Sequence, residues 1–190
     1  MSAQHRGARQ RLVVALTGVP GSGKTTIAAA LEGRARVVHL NDFARDAGLL
    51  DERDEARGSF VVDVDALADK LNAAISDVSG TVVVEGHFAH EMDADLVVLL
   101  RCDPLVLVER LRARGWPEAK VRENVEAEAL DVLAAEVLDA GLPAAEVDVT
   151  RMGVDEAARA VWEIVESGPQ ALKGATVGTA RWSLESLPWF

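Results

Sequence analysis

Short apolar runs alternate with stretches of helical period along most of this chain. Leu12–Leu16, Val37–Leu40, Thr81–Val84, Leu96–Leu100 and Glu146–Val149 are runs of four or five residues dominated by β-branched side chains and Leu. Such runs predict strands covered on both faces, as in a parallel sheet. Between them, Thr25–Leu31, Asp65–Ser76, Leu105–Arg114, Lys120–Asp139 and Asp155–Glu166 predict helices. In the second of these, Leu67, Leu71 and Ile75 recur at i, i+4 and i+8 behind an Asp cap read at Asp65. Alternation of the two patterns predicts right-handed βαβ crossovers, hence a three-layer α/β/α fold around a five-stranded parallel sheet. Ligands of such sheets sit at the carboxyl ends of the strands.

The turn after the first run carries the most specific chemistry. Gly18-Val-Pro-Gly21-Ser-Gly23-Lys24-Thr25 matches the G-x-x-x-x-G-K-[ST] phosphate-binding loop, in the strand–loop–helix context the motif requires. Its glycines let backbone N–H groups curl round an anion. The helix N-terminus adds partial positive charge there. Gly21, Ser22, Gly23, Lys24, Thr25 and Thr26 are therefore the expected triphosphate cradle of a P-loop NTPase. Lys24 would reach the β and γ phosphates and the Thr25 hydroxyl would take one place on Mg²⁺.

Composition narrows the class. The 190 residues suit one domain, and 49% hydrophobic content allows a real core. No apolar run approaches the roughly 18 residues of a membrane span. Residues 1–10 carry basic side chains without an apolar stretch, so they read as a flexible N-terminus and not as a signal peptide. The net charge of −11 argues against a broad duplex-DNA surface. Only four of the 20 basic residues are Lys, which suits a salt-rich cytoplasm or a GC-rich genome. The single Cys102 cannot form an internal disulfide; a buried thiol in a reducing cytoplasm is the expectation.

Phosphoryl transfer also needs a carboxylate beside magnesium, an acceptor pocket and cations around the moving group. Glu85 ends the third apolar run and is the candidate magnesium-side carboxylate. His87, two residues on, could orient a water or the acceptor, while His90 reads as surface. After the second run come Asn41 and Asp42, either of which can cap a helix, and Arg45, suited to gripping an acceptor's phosphate. Arg110, Arg112, Arg114 and Lys120 straddle a Gly115–Trp116–Pro117 break. A cationic lid would look like this, as would a helical hairpin salt-bridged through Glu109 and Glu118.

Two stretches break the alternation. Gly48–Gly58 is charged without apolar periodicity and predicts a mobile surface excursion. Beyond Ser167-Gly168-Pro169, which ends the last helix, a tail over 168–190 carries Trp182, Trp189 and Phe190. Aromatics in a tail predict docking on the domain or on a partner.

The ordered landmarks are Thr17–Thr26, Asn41-Asp-Phe-Ala-Arg45, Val62-Asp-Val-Asp65, Glu85-Gly-His87, Leu100-Arg-Cys-Asp103 and Glu109–Trp116, with Asn124 and Glu128 beyond. Together they resemble the small adenylate kinase family of the nucleus and archaea, also called the adenylate kinase isoenzyme six or CINAP family. The resemblance spans about residues 11–166. It implies a nucleoside monophosphate kinase-like domain over 11–167, with a monophosphate-binding region at about 41–76 and a lid at about 112–128. It further implies magnesium-dependent transfer from ATP to AMP or another nucleoside monophosphate, ATPase activity, and a part in 16S rRNA maturation through a basic small-subunit ribosomal protein. By position, Lys24, Glu85, His87 and Arg114 would be catalytic. Arg114 and Lys120 would serve the lid, Arg151 would lie near the adenine, and Asn41, Asp42 and Arg45 would face the monophosphate. The family usually has Asp where this chain has Glu85. A nucleotide-switched assembly factor with incidental kinase activity, and a kinase of a small phosphorylated metabolite, remain open at this stage.

Overall fold

The structure, a computed structural model, describes residues 11–54, 59–172, 177–183, 185 and 187–189. The expected flexible stretch 1–10, residues 55–58 of the charged excursion and Phe190 lie outside the described residues. In chain order the elements are β1 (Leu12–Gly18), α1 (Lys24–Ala29), β2 (Arg36–His39), α2 (Leu40–Asp46), β3 (Leu50–Asp54), β4 (Ser59–Val62), α3 (Val64–Ile75), β5 (Thr81–Glu85), β6 (Leu96–Arg101), α4 (Pro104–Ala113), α5 (Glu118–Ala129), α6 (Val132–Asp139), β7 (Ala144–Asp148) and α7 (Val154–Ser167). A 3-10 turn at Ala89–Glu91 precedes β6.

Five strands form one parallel sheet in the order β2-β5-β1-β6-β7. Successive side chains leave a strand on opposite faces. Val14 and Leu16 of β1 accordingly pack in the layer holding α1, α4, α5 and α7. Val13 and Ala15 pack with Leu40, Leu67, Leu71 and Ile75 of α2 and α3. Both faces are covered, which is why the strands read as continuous apolar runs. The centre of the order, β5-β1-β6, brings the phosphate loop and Glu85 to one edge of the sheet.

Several boundaries differ from expectation, each for a tertiary reason. Leu40 opens α2 instead of closing β2, because it is fully buried against Gly86, where an added Cβ would come within 2.9 Å of Leu40 Cβ. The cap of α3 is Asp63, whose carboxylate accepts from Ala66 N at 3.0 Å; Asp65 lies in the first turn. The expected helix Lys120–Asp139 is two helices. Asp131, at φ 56°, breaks it where its carboxylate takes a hydrogen bond from Arg101 Nη2 at 2.5 Å. The charged excursion contains β3, which pairs antiparallel with β4 just beyond it, outside the main sheet.

Arg101, the last residue of β6, is only 1% exposed. Its Nε bonds Glu128 at 2.8 Å and its Nη1 bonds Glu146 at 3.2 Å. Burial alone would lower its pKa, but Glu128 and Asp131 outweigh that and raise it. Glu146 is also held by the tail, whose Gly178, Thr179 and Ala180 amides donate to it at 2.9, 2.8 and 2.9 Å. Leu187 is buried in the core beside them, and Trp189 donates to Glu126 of α5 at 3.0 Å. The described part of the tail therefore docks on its own domain. Cys102 is buried too, and burial pushes its thiol up to about 12.

Candidate active site

β1 turns into the phosphate loop at Gly18, where no side chain fits. Its φ is 153°, and a Cβ would lie 2.8 Å from Leu100 O and 2.7 Å from Ser22 Oγ. Ser22 Oγ is itself buried with no hydrogen-bond partner in the protein. Lys24, the first residue of α1, folds back over the loop and donates to Gly18 O at 2.7 Å and Val19 O at 3.1 Å. Burial pulls its pKa down from 10.5 to about 8; Glu85 opposes the fall and Arg114 adds to it. An ammonium held by two neutral carbonyls in a dry site is short of negative charge, which a polyphosphate would supply.

Glu85 ends β5 and is nearly buried. Its Oε1 accepts from Thr25 Oγ1 at 3.1 Å and its Oε2 pairs with His39 Nδ1 at 2.9 Å. Thr25 and Glu85, the expected magnesium-side pair, are thus brought together. His39 carried no signal in the sequence, since at the end of an apolar run it looks like a strand residue. His87 does not continue the strand. After Gly86 it turns over the loop, its carbonyl accepting from Thr17 Oγ1 at 2.7 Å and its Nδ1 lying 3.4 Å from Gly18 O. Burial of part of the ring, then the Lys24 charge, lowers its pKa and keeps the imidazole neutral at pH 7.

A cavity of about 170 Å³ opens beside the loop, lined among others by Gly21, Ser22, Gly23, Thr26, Arg110, Arg114 and Met152. Lys120 does not line this cavity and pairs with Glu123 at 3.2 Å. Arg151 is exposed beside the cavity and is not part of its lining. Arg110 takes the inner position, donating to Gly21 O at 3.2 Å and Thr150 O at 3.5 Å. It is four residues from Arg114 and shares its face of the helix. Arg112 and Glu118 bridge the Gly–Trp–Pro break as an ion pair, as the expected helical hairpin would have it.

Where the acceptor's phosphate was expected to bind, α2 starts directly after His39 at the carboxyl end of β2. Asn41 and Asp42 lie inside its first turn and cap nothing; the N-cap is His39. Arg45 pairs with Asp42 on the exposed face and does not reach the 170 Å³ cavity. A second cavity of about 260 Å³ flanks His87, lined among others by Val62, Val64, Phe88 and Glu136. His90 also lines it, and it is buried where a surface residue was expected, with Nε2 3.6 Å from Glu136.

Comparison with known proteins fits this geometry. The AAA domain family matches residues 14–131. A protein of Natronomonas pharaonis named "Putative adenylate kinase" is 45% identical over 166 residues, covering 86% of this chain and 95% of its own. One of the same name from Archaeoglobus fulgidus is 38% identical, covering 92% and 93%. The chain belongs to the small adenylate kinase family of archaea. Among solved structures, shikimate kinase from Bacteroides thetaiotaomicron superposes with a TM-score of 0.56 at 19% identity, covering 82% of this chain and 98% of its own. Thymidylate kinase from Candida albicans gives 0.56 at 16%, covering 83% and 92%. At those identities the likeness concerns the fold, a P-loop kinase fold. Membership of the adenylate kinase family makes the chain a phosphotransferase by kinship. No described helix is long and apolar enough to cross a membrane.

Proposed function

We propose that this family member is a Mg-ATP-dependent nucleoside monophosphate kinase that converts ATP and AMP to two ADP, with ATPase activity when water takes the acceptor's place. The observation that carries this reading is Lys24, buried at the mouth of the loop with a depressed pKa and two neutral carbonyl partners. Its ammonium would leave the Gly18 and Val19 carbonyls for the β and γ phosphates. Arg114 would neutralise charge from the lid side. The adenosine of ATP would enter the cavity beside Arg110, and the acceptor would approach past His87, whose neutral imidazole would orient the attacking oxygen. Asn41, Asp42 and Arg45 would hold the acceptor's phosphate, Arg45 exchanging Asp42 for it.

Magnesium fits the donors present. Thr25 and Glu85 supply the oxygen chemistry a hard cation takes, Glu85 through water. Among the described residues no group of three or more His, Cys, Asp and Glu is placed to hold a metal ion by itself, so nucleotide phosphates and water would complete the shell. When bound, the ion would neutralise developing phosphate charge.

A coupled assay with ATP plus AMP tests the reading. ADP must form faster than with ATP alone; equal rates would overturn the kinase. The charge of −11 favours a second activity, nucleotide-dependent grip on a basic small-subunit ribosomal protein during 16S rRNA maturation. Recovery of no such protein, with or without ATP, would remove it. The acidic, Lys-poor composition also supports a salt-rich cytoplasm as the working environment.

A further inference from the structure

We propose that His39 is a positioning residue for the magnesium-side carboxylate, and that it ties this carboxylate to the helix that meets the acceptor. The inference rests on reading Glu85 as that carboxylate. In the parallel pair of β2 and β5, His39 stands directly opposite Glu85, and both are the last residues of their strands. The carboxylate only accepts hydrogen bonds, so the imidazole places its proton on Nδ1 and donates to Oε2 at 2.9 Å. That leaves Oε1 turned toward Thr25 Oγ1 at 3.1 Å, on the side of the phosphate loop. Without His39, Glu85 would have three free side-chain torsions and several ways to miss this geometry. Outer partners that fix the direction of a ligating carboxylate commonly matter to metal affinity.

The same residue is the N-cap of α2. Its side chain faces Glu85 while its backbone starts the helix that carries Asn41, Asp42 and Arg45. A shift of α2 on acceptor binding therefore acts on Glu85 through one side chain, and a displaced Glu85 acts back on α2. His39 is about three-tenths exposed, so its role is not that of a core residue whose loss empties a cavity.

The test uses Mn²⁺ as a spectroscopic probe, with a non-hydrolysable ATP analogue and the full-length protein. For His39→Ala the Mn²⁺ dissociation constant should rise about tenfold. Affinity for the analogue in EDTA should stay within twofold of the unmodified protein, on the proposal that His39 acts through Glu85 and not on the phosphates. His39→Asn puts an amide N–H at the same bond distance from Cβ and should restore Mn²⁺ affinity. Glu85→Gln is the control for the underlying reading. Should Glu85→Gln weaken Mn²⁺ binding while His39→Ala leaves it unchanged, the positioning role is wrong and the magnesium site stands. Equal loss in His39→Ala and His39→Asn would also overturn it, because the donated hydrogen bond would then not be what matters. Unchanged Mn²⁺ binding in Glu85→Gln would overturn the magnesium assignment itself, and this inference with it.

Discussion

Among the described residues two Lys and Arg side chains are buried, and their surroundings are opposite. Lys24 lies at the phosphate loop, 9% exposed, with backbone carbonyls as its hydrogen-bond partners and a pKa lowered to about 8. Arg101 lies at the end of β6, 1% exposed, bonded to Glu128, Asp131 and Glu146, with its pKa raised. One charge is left short of counter-charge, and the other is supplied in full by the chain itself. A buried charge that the fold completes acts as structure; one that the fold leaves incomplete is a place for a ligand.

The strongest way to break this contrast is Arg101→Met, which leaves Glu128 and Glu146 buried without their cation. Removing one partner of such a cluster should cost about 3–5 kcal/mol of stability, read from urea unfolding; a loss below about 1 kcal/mol would mean that Arg101 is not the structural charge described here. Lys24→Ala should do the reverse. Turnover should fall by at least about 100-fold, as when an electrostatic contact to a reacting group is removed. The unfolding midpoint should hold or rise, because a poorly compensated buried charge is gone. Unchanged turnover would take Lys24 out of the site.

A smaller effect is expected at the surface. Arg45→Ala should raise the KM for AMP by about 10- to 100-fold if a charge-assisted contact worth about 1.5–3 kcal/mol is lost. A neutral acceptor should be indifferent to the change, so the two responses identify whether the acceptor carries phosphate.

The finest test is pH. With a folded pKa of about 8 against 10.5 for the free side chain, Lys24 gives up its proton early in the folded protein. Nucleotide affinity should therefore decline as pH rises through 8, by at most about tenfold per unit, and Lys24→Ala should flatten the profile. Between those two values the unfolded chain holds more protons, so this group makes stability rise with pH. Glu146 makes stability rise with pH too, but in the acidic range. Burial would raise its pKa, but Thr179, Gly178 and Ala180 outweigh it and lower it, so its contribution is present above the ordinary carboxylate range and is lost on acidification. Calorimetric titration with nucleotide and unfolding curves across pH read the two sites separately.

Much of the nucleotide site was legible because it is local. The loop's glycines, Lys24 and Thr25 fall within eight consecutive residues, and the strand and helix beside them have their own periodicities. Arg114 was legible as one of a cluster of cations at a helix break. Arg110 belongs to the same cluster, but only the approach of the Val149–Val154 segment shows which arginine lies inside. His39 and His90 were illegible for a similar reason. A lone His in an apolar run acquires a role only from a partner elsewhere, and Glu85 is 46 residues from His39. The split of the long helix at Asp131 depended on Arg101, 30 residues away.

By itself, then, the sequence determined the five strands, most of the helices that cover them, and the anion-binding turn, because backbone conformation is chosen by neighbouring side chains and by glycines where no Cβ fits. The tertiary structure decided which charges meet. Strand order sets β2 against β5 and β6 against β7, and Coulomb energy depends on distance through space and on exclusion of water, neither of which is written in residue order.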